Sequence, residues 1–265
     1  MTLVTDFGHD DPFVGVCHGV IDRIAPEARV VDLSHSVEPF DVLHGALVNA
    51  DALAYVREGV HVAVVDPGVG GARRPVAVRD RSGRVHVGPD NGVLALAVDR
   101  FGGPVQAVTI EADAYLLERP SMTFHARDVF APAAAHLAAG LSLTRLGEPF
   151  DVESLATVTV PAATVGDGLI EATIVLVDRF GNLALSAVPG QLAQAGFREG
   201  DLVRICGPPS PVAVTIGATF ASVEQGGLVL YEDSFSRLAI AVRQGSGARR
   251  LSAGRGDRVA LERID

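Results

Sequence analysis

The strongest constraint on how this 265-residue chain can fold is a change of texture near residue 150. Before it, apolar residues switch between strand and helix spacing. Residues 3–5 read as a short strand, and Phe13, Val14, Val16, Cys17, Val20, Ile21 and Ile24 then recur at helical spacing. Residues 29–33 give a second strand, 41–56 a second helical pattern, and 61–65 a continuous apolar strand that stops at Asp66-Pro67-Gly68. This alternation predicts a mostly parallel sheet with helices on both faces. Residues 75–79 and 84–87, joined around Ser82-Gly83, read as an inserted hairpin, and a helix is expected over 129–139. From residue 158 onward only short β-rich runs follow, at 158–160, 170–177, 183–186, 202–205, 212–219, 228–231, 238–242 and 259–261. The expectation is an N-terminal α/β domain over 1–155 and a C-terminal all-β barrel or sandwich over 165–265.

Composition narrows the partners. Hydrophobic residues make up 48% and charged residues 20%, a globular balance. The 22 basic and 32 acidic side chains leave a net charge of −10, which argues against a nucleic-acid partner and suits a cationic ligand. Cys17 and Cys206 are too few for a disulfide framework and read as buried free thiols in a reducing compartment. The N-terminal residues lack the charge and hydropathy pattern of a signal peptide, and no apolar run is long enough to span a bilayer. A cytoplasmic protein with no membrane partner is expected.

Candidate chemistry gathers at expected strand ends. In an open parallel sheet, ligands bind beyond the carboxyl ends of the strands. Asp6 and Asp66 occupy that position, and Asp90-Asn91-Gly92 follows the hairpin. Each alone is also ordinary turn chemistry. Asp66-Pro67-Gly68-Val69-Gly70-Gly71-Ala72-Arg73 is Gly-rich but lacks a P-loop ending, and it leads into a strand rather than a helix. Its glycines suit close approach of the backbone to a ligand, with Arg73 folding back toward Asp66. The string Thr123-Phe124-His125-Ala126-Arg127-Asp128 places three charged or titratable groups just before an Ala-rich helix, where burial is costly unless they pair or bind something. No metal site is expected, because the histidines are scattered and no close cysteine pair exists. His18, His35 and His44 read as structural. No Gly-x-Ser-x-Gly elbow supports a serine hydrolase.

Thr5-Asp6-Phe7-Gly8, Asp66-Pro67-Gly68-Val69-Gly70, Pro89-Asp90-Asn91-Gly92, Thr123-Phe124-His125-Ala126-Arg127-Asp128 and Asp178-Arg179-Phe180-Gly181-Asn182 together resemble the adenosine-forming S-adenosyl-L-methionine (SAM) hydrolases, or SAM hydroxide adenosyltransferases. This family is related to fluorinating and chlorinating adenosyl transferases. The resemblance runs in order along essentially the whole chain. It implies an α/β domain followed by a barrel-like domain, and a homotrimer with active sites at subunit interfaces. It also implies SAM as substrate, with no cofactor. Carried over by residue, it places water activation on Asp66, Arg73 and His125, and the ribose contact on Asp6. Phe40 matches an aromatic beside the adenosyl group, Asp178 the methionine-ammonium contact, Phe180 an adenine-stacking ring and Asn182 an adenine hydrogen-bonder. Ser234 falls at the methionine-carboxylate contact, and Val242 where backbone reads the adenine edge.

The chemistry fits those groups. Methionine leaves a sulfonium as a neutral thioether, so no general acid is needed, but water must be placed in line with C5′–S and activated. Asp66 is a proton acceptor, Arg73 its countercharge, and His125 a group that donates or accepts near neutral pH. Ala126 departs from the glycine common in the hydrolases and from the serine of the fluorinating enzyme, and Phe235 from an arginine of the halogenating enzymes. The expected reaction is hydrolysis of SAM to adenosine and L-methionine. The competing readings are halide-dependent displacement and a SAM- or adenosine-binding module without turnover. Methyl transfer lacks its Gly-rich loop after the first strand.

Overall fold

A computed structural model describes residues 1–206 and 211–264. The chain divides into two compact units, Met1–Thr159 and Val160–Asp265. The first contains β1 (Thr2–Thr5), α1 (Phe13–Ile24), β2 (Val31–Ser34), α2 (Val42–Leu53), β3 (Val60–Val64), β4 (Pro75–Asp80), β5 (Val85–Pro89), α3 (Ala95–Arg100), β6 (Pro104–Thr109) and α4 (Ala131–Ala138). Its sheet has the order β2-β1-β3-β5-β4-β6. The pairs β1–β2, β1–β3 and β3–β5 are parallel, whereas β4 runs antiparallel to β5 and β6.

Period-two alternation sends successive strand residues to opposite faces. Leu3, Val62, Val64, Val85 and Val87 join Cys17, Val20 and Ile21 of α1 and Ala131, Ala133, Ala134 and Ala135 of α4 in one core. Val4, Ala63, Val65, Val76 and Val78 join Val93, Leu94 and Val98 in a second core on the other face. With both faces covered, the central strands read as unbroken apolar runs.

The expected inserted hairpin is not an insertion. Both its strands belong to the main sheet, and β5 lies parallel to β3, so the carboxyl end of β5 joins the same rim as those of β1 and β3. Asp80 closes the β4–β5 turn by accepting from the backbone N–H of Ser82 at 2.9 Å and of Arg84 at 3.0 Å.

The second unit contains β7 (Thr164–Gly166), β8 (Leu169–Val177), β9 (Leu183–Leu185), α5 (Gly190–Gln194), β10 (Leu202–Cys206), β11 (Val212–Ile216), β12 (Leu228–Glu232), β13 (Leu238–Val242), α6 (Gly247–Leu251) and β14 (Arg258–Arg263). Pairing of β14 with β8 closes the order β14-β10-β11-β12-β13-β9-β8 into a seven-stranded barrel, and β7 adds to β8 outside the ring. Closure removes the free edges that open sheets expose. Residues 158–160, expected as a strand, lie outside any strand. Cys17 is buried as expected, but Cys206 is only half-buried. No helix among the described residues is long and apolar enough to cross a membrane.

Candidate active site

Because β1, β3 and β5 run in parallel side by side, the residues after them share one rim. Asp6 follows β1, Asp66 lies just past β3, and Asp90 follows β5. Asp90 is occupied structurally: Arg74 donates to its Oδ2 from Nε at 2.8 Å and Nη2 at 2.6 Å, and the Ala156 N–H donates to its Oδ1 at 2.8 Å. Asn91 donates its side-chain amide to the Val65 carbonyl at 2.8 Å, tying the β5 end to the β3 end.

The Gly-rich stretch after β3 brings Arg73 back over Asp66. Arg73 Nε donates to Oδ1 at 2.9 Å and to Oδ2 at 3.1 Å, and Nη2 also contacts Oδ2. The two side chains are only 9% and 7% exposed. Nη2 further donates to His125 Nδ1 at 2.8 Å. A guanidinium has no acceptor, so His125 Nδ1 must accept, and the neutral ring carries its proton on Nε2. Burial, and then the Arg73 charge, lower the His125 pKa below the ordinary imidazole value. Gly70, with φ +74°, lies where a Cβ would collide with the Met122 carbonyl, so the loop closes against residues just before His125 only because this position is glycine.

Asp6 accepts from the Phe40 N–H at 2.9 Å through Oδ2. Burial raises its pKa, with the Asp66 charge adding to the effect. The Phe40 ring is 72% exposed, and its backbone sits at φ +68°, a costly conformation for a bulky residue. Phe7, Phe13 and Phe124 meet edge-on at 5.1–5.9 Å beside this rim.

Ala126 is 5% exposed and, with Thr5, Phe7 and Cys17, lines a core cavity of about 10 Å³. Residues Ala126–Phe130 form one π-turn closed by the Ala131 N–H to the Ala126 carbonyl. Arg127 Nε donates to Asp128 Oδ1 at 2.5 Å, and Asp128 Oδ2 accepts from the Ser121 N–H at 2.8 Å, so both charges are spent within the fold.

On the barrel, Asp178, Phe180, Asn182, Ser234 and Val242 all line one open cleft of about 1030 Å³. Asp178 accepts from the N–H groups of Phe180 and Asn182 at 2.9 and 2.8 Å, and from Asn182 Nδ2 at 2.7 Å. The carboxylate thereby shapes the turn that leaves Phe180 76% exposed. Gly181, at φ +84°, packs against Ser246 where no side chain fits. Sequence reasoning missed Phe220 and Tyr231, which pack at 4.9 Å in the same cleft, and Arg249. Their signal was weak, since Tyr231 on a short β run reads as core and Phe220 falls just past one, in a short 3₁₀ turn. Among the described residues, no group of three or more His, Cys, Asp or Glu is arranged to hold a metal ion.

A parallel-rich α/β unit with its polar groups at the carboxyl rim, followed by a closed barrel with an aromatic-edged cleft, defines a small-molecule-binding protein of the α/β-plus-barrel class. Residues 1–147 match the SAM hydroxide adenosyltransferase N-terminal domain and residues 172–260 its C-terminal domain. The chain belongs to the SAM hydroxide adenosyltransferase family. It is 40% identical to the (R)-S-adenosyl-L-methionine hydrolase of Salinispora arenicola, covering 98% of this chain and 97% of that one. It is 29% identical to a fluorinase of Actinopolyspora mzabensis, covering 91% and 89%. Among solved structures, an uncharacterized conserved protein from Thermotoga maritima superposes with a TM-score of 0.91 at 32% identity, covering 99% of both chains.

Proposed function

We propose that this protein hydrolyses SAM to adenosine and L-methionine by in-line attack of an activated water on ribose C5′. The water oxygen forms the new C5′–O bond as the C5′–S bond breaks, and the electron pair leaves on sulfur as the neutral thioether of methionine. The proton lost from water passes to Asp66 and then to solvent. The observation that carries this reading is the continuous, largely buried chain Asp66–Arg73–His125. Its hydrogen-bond directions support the following roles. Asp66 is the proton acceptor, Arg73 fixes and balances it, and His125 presents Nε2–H as a donor that orients the nucleophile.

Asp6 takes the ribose hydroxyls through its free lone pairs, and the exposed rings of Phe40 and Phe180 flank the adenosyl group. Asp178, Asn182, Ser234 and Val242 line the cleft for the methionine end and the adenine edge. In this reading the substrate is the sulfonium of (R) configuration that the relatives' name specifies. The enzyme works in the cytoplasm as a homotrimer with active sites at subunit interfaces, and uses no metal or organic cofactor.

Incubation with (R)-SAM in halide-free, ¹⁸O-labelled water tests the reaction, with products read by mass spectrometry. Label in the 5′-oxygen of adenosine, at an unchanged rate after dialysis against chelator, is expected. Adenosine without label, or turnover that appears only with added chloride or fluoride, would reject the proposal. Native mass spectrometry should show three copies.

A further inference from the structure

His35 follows β2 and is 2% exposed, yet both its Nδ1 and its carbonyl turn toward the loop that carries Asp6. Its Nδ1 lies 2.8 Å from Thr5 Oγ1, and Thr5 Oγ1 accepts from the Phe7 N–H at 3.2 Å. The His35 carbonyl accepts from the Gly8 N–H at 2.8 Å. The same residue therefore grips the β1–α1 loop on both sides of Asp6, once through its ring and once through its backbone.

On its far side, Nε2 stands 3.1 Å from Asp32 Oδ1, at ion-pair distance although off the hydrogen-bond line. Asp32 is shared with His18 Nε2 at 2.9 Å, and the His9 ring meets His35 edge-on at 5.3 Å. A carboxylate there favours the proton on Nε2 and leaves Nδ1 to accept from the Thr5 hydroxyl. Thr5 Oγ1 is then free to accept from Phe7. The bonds run in one direction, from the Phe7 N–H through the Thr5 hydroxyl to His35, whose far nitrogen faces the Asp32 carboxylate at ion-pair distance.

We infer that His35 is the positioning residue of the Asp6 site: anchored by Asp32, it fixes Thr5 and Gly8 so that the loop presents the Asp6 carboxylate to the ribose diol in one orientation. This rests on the reading that Asp6 binds the ribose hydroxyls. A histidine serving only to fill the core would require no such directed chain, because an apolar side chain packs there without polar atoms to satisfy.

The test measures KM and kcat for SAM, calorimetric Kd for adenosine and for 2′,3′-dideoxyadenosine, and thermal stability. His35→Leu and Thr5→Val should each raise KM for SAM and Kd for adenosine about tenfold, the weight of one well-placed hydrogen bond, with kcat within about threefold. Affinity for 2′,3′-dideoxyadenosine, which lacks the diol, should stay unchanged. His35→Asn, whose amide oxygen can take the Thr5 proton, should restore most of the loss. In an Asp6→Asn background, His35→Leu should add nothing further.

A fall in thermal stability with KM and both Kd values unchanged would overturn the inference, as would equal weakening of both nucleosides or full additivity with Asp6→Asn. Thr5→Val carries the test if His35→Leu fails to fold. The adenosine measurements stand even if the wild-type protein releases no adenosine from SAM, so failure of the hydrolase reading is separable.

Discussion

Arg73 is the one side chain of the triad bonded to both of the others, and its donor-only chemistry fixes what they can do. With His125 Nδ1 committed as an acceptor, only Asp66 has lone pairs free for the proton of water. Asp66→Asn should therefore lower kcat by about 10²–10⁴, the usual weight of a general base, while adenosine Kd changes less than about threefold. Steady-state kinetics and calorimetry together check both halves. The pH profile follows from the same contacts. Burial and Arg73 lower the His125 pKa, so the neutral ring that the site needs persists as pH falls through 6.5 and is lost only below it. The acid limb of kcat/KM should thus lie below the ordinary imidazole value, and Arg73→Gln should move it upward. A limb that stays put in the variant would separate it from His125. Asp6 and Asp66 were legible as carboxylates after two strands, whereas the triad roles of Arg73 and His125 were read only from motif order; the structure brings Arg73 into contact with both Asp66 and His125. The role proposed for His35 was not, since an isolated histidine in sequence carries no sign that its neighbours in space are Thr5 and Asp32.

Between the triad and α4, one proline organises an element that the sequence pattern did not reveal. Pro132 has no N–H, so the Asp128 carbonyl lacks its helical donor, and the Leu117 N–H takes it instead at 3.0 Å. The Asp128 carboxylate meanwhile holds Ser121. Backbone and side chain of a single residue thereby pin residues 117–121, next to the Met122 carbonyl that meets the Gly-rich loop. Asp128→Asn keeps the shape but weakens the charged contacts to Arg127 and Ser121. It should cost about 1–3 kcal/mol and speed amide exchange at Ser121 more than in β3. Hydrogen exchange read by NMR measures this, and uniform acceleration across both segments would count against a local clasp. Periodicity did identify β1, β3, α1 and the barrel strands, because their apolar residues recur cleanly. It gave a plain helix over 129–139, where the chain begins with the π-turn Ala126–Phe130. It also gave no sign of α3 or β6, which are six residues each and joined through Gly102-Gly103. Reading β4 and β5 as an insertion failed for another reason: local spacing shows a hairpin but not which strand its second arm will pair with.

At the scale of the whole chain, titratable groups are divided as unevenly as the secondary structure. All eight histidines, His9 to His136, fall in the Met1–Thr159 unit. Burial lowers the pKa of His44, His125 and His136, and drives that of His61 down to about 3. Each of these rings is held neutral in the fold but gains a proton once unfolded below about pH 6.5. The unfolded state then binds more protons, so the stability they contribute is present above that pH and is lost as pH falls toward their folded values. Further into acid, Asp32, Asp80 and Asp128 add to the loss. Burial opposes their ionisation, but the His18 hydrogen bond and the nearby His35 ring at Asp32, and hydrogen bonds from His86 and Ser82 and from Arg127 and Ser121 at the other two, hold these carboxyls below the usual range. In the barrel the displaced groups are Cys206 and Tyr231, which burial pushes upward, Tyr231 to about 12, so they act only in alkali. Acid should therefore loosen the first unit before the second. Between pH 6 and pH 4, His61 alone should lower the opening free energy of β3 by about 1.4 kcal/mol per pH unit. Hydrogen exchange with mass spectrometry, corrected for intrinsic rates, should show β1, β3 and β5 peptides losing protection over that range while β8, β12 and β13 keep theirs. His61→Gln should flatten the first trend. Parallel loss in both units, or an undiminished slope in His61→Gln, would show that the acid response is not set by these buried rings.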